Sequence, residues 1–166
     1  MLESTWIQLP RQEDEPLRKL LFDLVTELLR EITNCNRRLS QGDQRFGGYL
    51  CVFRDSPDQD KLVPILVIRV GGPTIGKEAK YFNLCQEKAL RLMAHQNHLS
   101  SWQTREVERE LCGGAIRTKD FIISFSGLTE KADEAILVNA AFKLGMLSGS
   151  TAEAIASHSE NQLISV

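Results

Sequence analysis

Apolar side chains at Leu17, Leu20, Leu21, Leu24, Leu28, Leu29 and Ile32 recur with a period near 3.6, the mark of one helical stripe. Phe22 and Val25 widen it beyond a narrow seam. Pro16 stands where a first helical turn accepts proline, and Glu13, Asp14 and Glu15 sit where the helix dipole favours negative charge. The pattern predicts a helix over 14–40, ending near Gly42. The stripe reads as core packing, with a partner-binding face as the alternative.

The pattern then changes period. In "FGGYLCVFRD" (Phe46–Asp55), Tyr49, Cys51 and Phe53 alternate with Leu50, Val52 and Arg54. Both faces are largely apolar, as in a strand covered on both sides. A polar turn, "SPDQDK", leads to a second strand at 62–70, with Pro64 at its start or on an open edge because proline cannot donate to a ladder. The short connection makes the two strands an antiparallel hairpin. Gly71-Gly72-Pro73 breaks the pattern, and a helix is predicted over 75–94 with Ala79, Phe82, Cys85, Gln86, Ala89, Leu92 and Met93 inward. A polar loop follows. Strands at 112–117 and 121–126 form a second hairpin, and a last helix runs over 129–147.

That last helix contains "AILVNAAFKLGML", apolar nearly all round, so it is either central or part of an oligomer interface. The segment 148–166 is small and polar and reads as a partly disordered tail. The order helix, two strands, helix, two strands, helix predicts an α+β domain over 1–147. Its antiparallel sheet has four or five strands with helices on both faces, a profilin-like three-layer arrangement.

Composition narrows the function classes. A 166-residue chain suits one domain, and 42% hydrophobic residues suffice for a real core. The net charge of -2 argues against a nucleic-acid partner. The apolar stretches fall well short of a bilayer span and the N-terminus lacks a secretory pattern, so a cytoplasmic protein with no membrane partner is expected. Cys35, Cys51, Cys85 and Cys112 lie in apolar stretches without zinc-ligand spacing and read as free thiols, with no metal site.

Short motifs carry a family resemblance. They are Arg69 ending "VIRVGG", Lys88-Ala89 in "EKALRLMA", the pair Gly113-Gly114, Ser126-Gly127, and Asp133 opening the last helix. Over about residues 17–147 the chain resembles the haem-degrading or haem-binding domain family that includes the glycolate-utilisation operon protein of unknown role. The resemblance implies a five-stranded antiparallel sheet between helices, assembly into homo-oligomers, and haem as a candidate cofactor. The Asp-x-Gly-Gly turn usual in that family's first hairpin is replaced here by "DSPDQD", and the resemblance assigns no iron ligand to any residue.

Four groups of residues carry candidate chemistry. "SFSGLTEKAD" sets Ser124, Ser126, Gly127 and Thr129 at a strand end and helix N-terminus, where free N–H groups could meet a carboxylate or a haem propionate. The alternative is a turn at Gly127 capped by Thr129, and Glu130, Asp133 and Glu134 would repel an anion there. His95 and His98, just past a helix end, are candidate haem ligands or solvated caps. Arg54, Arg69 and Arg117 could pair with a carboxylate, and Trp102 with Arg105 could cover a pocket. No nucleophile-and-base set, P-loop or dinucleotide fingerprint is present. The expected function is small-ligand binding or sensing, for haem or a small organic acid, by a homo-oligomer. The alternatives are a structural module docking a partner through apolar helices, and an enzyme of haem breakdown.

Overall fold

The structure is a computed structural model and describes residues 14–55 and 64–166. Its elements in chain order are α1 (Glu15–Arg38), β1 (Phe46–Arg54), β2 (Leu66–Gly72), α2 (Glu78–Met93), β3 (Ala115–Arg117), β4 (Phe121–Ser126), α3 (Glu130–Lys143) and α4 (Gly149–Ser159). The strands form one sheet in the order β2-β1-β4-β3, antiparallel throughout. The molecule is therefore α+β, with a four-stranded antiparallel sheet and helices on both faces.

Alternation along the strands assigns each face its core. Leu50, Val52, Leu66, Val70, Ile123 and Phe125 point to α1 and α3. Cys51, Phe53, Ala115 and Ile122 point the other way, to Cys85, Ala89, Leu92 and Met93 of α2. Both faces of β1 are buried, as its sequence predicts. Cys35, Cys51 and Cys85 are buried free thiols and Cys112 is half-buried. Burial raises the Cys35 pKa to about 11, and the adjoining Cys85 thiol, with burial, pushes that of Cys51 up.

Several expectations are corrected. The β2 strand runs from Leu66 to Gly72 rather than 62–70, because Pro64 precedes the ladder; Leu62, Val63 and the turn at 56–61 lie outside the described residues. The β3 strand begins at Ala115 rather than 112, after Gly114, whose φ of +111 is outside strand geometry although its carbonyl still accepts the Phe125 N–H at 2.8 Å. On α2, Ala79 and Phe82 are exposed, and the inward stripe is Tyr81, Cys85, Lys88, Ala89, Leu92 and Met93.

The apolar α3 is central, buried by α1, by β3 and β4, and by α4, with Ala140 and Ala141 fully covered. The segment expected as a partly disordered tail is instead α4 and an ordered end. Ser148 caps α4, and Ala152 and Ile155 are buried beneath it. Asn139 donates to Leu163 O and accepts the Ser165 N–H at 2.8 Å, while Arg38 donates to Leu163 O at 2.8 Å and to Gln162 O. No helix among the described residues is long and apolar enough to cross a membrane.

Candidate functional site

The inward stripe of α2 carries one charge. Lys88 is 1% exposed, and its Nζ donates to Asp133 Oδ2 at 2.9 Å and to Phe125 O at 3.0 Å. Asp133 Oδ1 accepts the Leu128 N–H at 2.8 Å. A buried ion pair offsets its desolvation cost only when further hydrogen bonds complete it, and both carboxylate oxygens here are used. Burial pushes the Asp133 carboxyl above its ordinary value, against the pull of the Lys88 ammonium and the Leu128 N–H. The pair thereby fastens α2 to the end of β4 and to the first turn of α3.

The glycines around it are set by close approach. Gly114 has φ +111, and a Cβ there would stand 2.8 Å from Asp133 Cβ and 2.9 Å from Lys88 Nζ. A Cβ on Gly113 would run into the Trp102 ring. Gly127 packs backbone to backbone on Gly47 and Gly48, where any side chain would collide with the chain opposite. Thr129 caps α3 by accepting the Ala132 N–H. The Ser-Gly turn is thus occupied with joining β4 to β1 and starting α3.

Over this buried pair lies a polar surface. Arg105 grips Glu130 with three bonds, from Nε to Oε1 at 3.2 Å and Oε2 at 3.0 Å and from Nη2 to Oε2 at 2.8 Å, and its guanidinium stands 4.9 Å from the Trp102 ring centre. The Gly113 N–H donates to Glu130 Oε1 at 3.2 Å. Burial opposes ionisation of Glu130, but Arg105 and the Gly113 N–H hold its carboxyl below the ordinary value. Burial and the neighbouring Glu130 raise the Cys112 thiol, which leaves it a poor nucleophile. Arg91 pins the loop beneath by donating to the carbonyls of Ser101, Thr104 and Cys112. An open cleft of about 790 Å³ runs past Trp102, Arg105, Thr129, Lys131 and Asn161.

The structure therefore sets Gly114 against Lys88 and Asp133 and Thr129 one turn before Asp133, while Gly113 meets Trp102, Gly127 meets Gly47 and Gly48, and Ser126 leads into that turn. It does not bring the other candidates there. Ser124 faces α2 and donates to Cys85 O. Arg69 is exposed on β2 and donates to Gly71 O at 3.3 Å. Arg54 lies over the Phe121 ring. Arg117 binds Asp55 and the carbonyls of Leu92, His95 and His98, which consumes its guanidinium. His95 and His98 stack at 4.8 Å with planes 11° apart at the far end of α2. Neither histidine lines the clefts beside Trp102, Phe46, Met146 or Val107 among the described residues.

Comparison with family models, with curated proteins and with solved structures gave no match. The resemblance to the haem-binding domain family thus rests on its short motifs. Lys88 and Asp133 are sealed from solvent and bonded to each other and to the backbone at Phe125 and Leu128, an arrangement suited to a clasp between layers. Among the described residues no three His, Cys, Asp or Glu side chains converge on one point.

The sequence pattern assigns no role to Arg91, Ser100 and Asn161, and it places Glu134 only as a first-turn acid at the α3 N-terminus rather than as a buried carboxylate. Ser100 donates to Glu134 Oε1 at 2.5 Å, and Asn161 donates to Glu134 Oε2 at 3.1 Å. A signal did exist for two of the buried charges: Lys88 lies on the Cys85–Leu92 stripe, and Glu134 stands beside an otherwise apolar helical run.

Proposed function

We propose that the protein is a non-catalytic module that assembles with copies of itself. The observation carrying this reading is an exposed apolar flank formed by Phe22, Leu29 and Phe46. Leu29 and Phe46 border a groove of about 330 Å³, also lined by Ile32, Thr33, Asn36, Arg37 and Gln44, and Phe22 lies two helical turns before Leu29 on the same side of α1. Contiguous apolar surface of this kind marks interaction sites. Of the groups expected to hold a ligand, Gly113, Gly114, Gly127, Ser124 and Thr129 are spent on the fold itself. The apolar α3 does not supply the contact, since it is covered within the chain. Sedimentation equilibrium over the micromolar range tests the reading. A concentration-dependent oligomer is expected, and a monomer at every concentration would sink it.

A second reading keeps a small ligand, either an organic acid or haem. The cleft past Trp102 has the volume of a ligand pocket, and Arg105 and Lys131 flank it. Trp102 fluorescence during a titration with small carboxylates tests the acid. Absorbance during a haem titration, on the wild type and on the double variant His95→Ala, His98→Ala, tests the haem. A saturable Soret shift lost in the double variant would make haem the ligand, and no response in either titration leaves the assembly reading alone.

A further inference from the structure

The two edges of the sheet are finished differently. The β3 edge is three residues long and covered: Ser100 bridges to Ile116, and the Arg117 N–H donates to Leu99 O at 2.8 Å. The β2 edge is seven residues long and has no strand beyond it among the described residues. Bare edges are ordinarily blunted by prolines, inward charges, bulges or brevity, because their free N–H and C=O groups template pairing. Between Leu66 and Gly72 the only charge is Arg69, and there is no proline.

The apolar flank stands on this same side. On α1, Glu27 and Glu31 face Lys143 of α3, while Phe22 and Leu29 lie nearly half a turn round the helix and face away. The α1 helix packs over β1 and β2, so that outward side overhangs the β2 edge. Phe46, opposite Gly72 in the register, ends the same border. On the other face of the sheet α2 lies over β1, β3 and β4, and at its border Val67 and Tyr49 are only half-buried, with the Tyr49 ring edge-on to Phe82.

Resting on the assembly reading, we propose that two copies of this chain pair antiparallel along β2, extending the sheet across a two-fold axis and setting α1 against its counterpart. A single added peptide strand would satisfy the edge but leave Phe22 and Leu29 bare. A two-fold copy covers both, because an isologous contact brings each patch against itself. The area fits. Phe22 is 72% and Phe46 65% exposed. Those two rings alone offer on the order of 270 Å², from about 200 Å² per aromatic side chain. A standard interface takes about 800 Å² from each partner. A strand edge of about 23 Å and the length of α1 supply the remainder.

The test is sedimentation equilibrium with hydrogen exchange of the β2 amides, on the full chain and on Phe22→Glu and Phe46→Glu. Both side chains are exposed, so circular dichroism and melting should stay native. The expected result is a dimer whose outward β2 amides are protected. Each variant should then weaken association at least about tenfold, as for an aromatic at an interface centre, and should release those amides. A dimer that survives both variants, or whose outward β2 amides exchange freely, overturns the β2 pairing and leaves the assembly reading standing. A monomeric wild type overturns both.

Discussion

Asp133 and Glu134 are neighbours on α3 and both are buried, yet they are held by opposite means. Asp133 meets a full cation, Lys88, and one backbone N–H. Glu134 meets only neutral donors, the Ser100 hydroxyl and the Asn161 amide, and has no cation at ion-pair distance among the described residues. The first joins the layers on the two sides of the sheet. The second ties down two pieces of irregular chain, the loop after α2 and the segment after α4. A charge partner makes a strong clasp that fails badly when halved. Neutral donors make a weaker one whose loss stays local.

Removing half of the stronger clasp should have the largest effect. Lys88→Met leaves Asp133 buried without its cation and should cost about 3–5 kcal/mol in urea unfolding. The double variant Lys88→Met, Asp133→Leu should recover most of this loss. If it unfolds as readily as the single variant, the pair is not what Lys88 contributes.

Next comes Glu134→Ala, expected to cost about 1–3 kcal/mol by stranding Ser100 and Asn161. Amide exchange should quicken at 160–165 while β1 and β4 stay protected. Uniform quickening would show that Glu134 supports the whole core, as Asp133 does.

A half-exposed network sharpens the contrast through pH. Lys143 bonds Glu27 at 2.9 Å and Glu31 at 2.5 Å. It holds the Glu27 carboxyl below its ordinary value despite partial burial, with help from Arg30, and those two carboxylates raise Lys143 in turn. The depressed Glu27 contributes stability above the unfolded glutamate pKa of about 4.3, lost as pH falls further. The raised Lys143 contributes stability below the unfolded lysine pKa of about 10.4, lost as pH climbs through its higher folded value. Urea midpoints measured against pH should fall at both ends, and Lys143→Met should flatten both slopes.

The smallest effect belongs to Arg105→Ala. Its pair with Glu130 is about a third exposed on each side, and such pairs contribute at most about 1 kcal/mol. Melting should barely move while Trp102 emission shifts, because Arg105 stands over that ring.

The positions of α1, β1, β4 and α3 were legible because their apolar periods are complete. On α2 the inward stripe was misjudged by a fraction of a turn. A pattern of apolar residues favours Ala79 and Phe82, whereas the true stripe runs through Lys88, whose charge is neutralised only by a residue far along the chain. The α4 helix was missed because Ala152 and Ile155 are its only buried apolar residues, and its end is fixed by polar groups from α1 and α3. The glycine pairs were visible in the sequence, but their meaning was not. Spacing could not distinguish a ligand cradle at Gly113, Gly114 and Gly127 from a close approach to Trp102, Lys88 and β1.

The two central strands, β1 and β4, are far apart in the chain, with Tyr49 opposite Ser126. Each outer strand is joined to its neighbour by a hairpin that can close early, whereas the middle ladder has to wait for a long loop to be drawn in. It closes where Gly48 meets Ser126 and Gly127 with no room for a side chain. The rate of folding should therefore be governed by the meeting of two preformed halves, with the bare backbone of Gly47 and Gly48 as the place where they first have to fit.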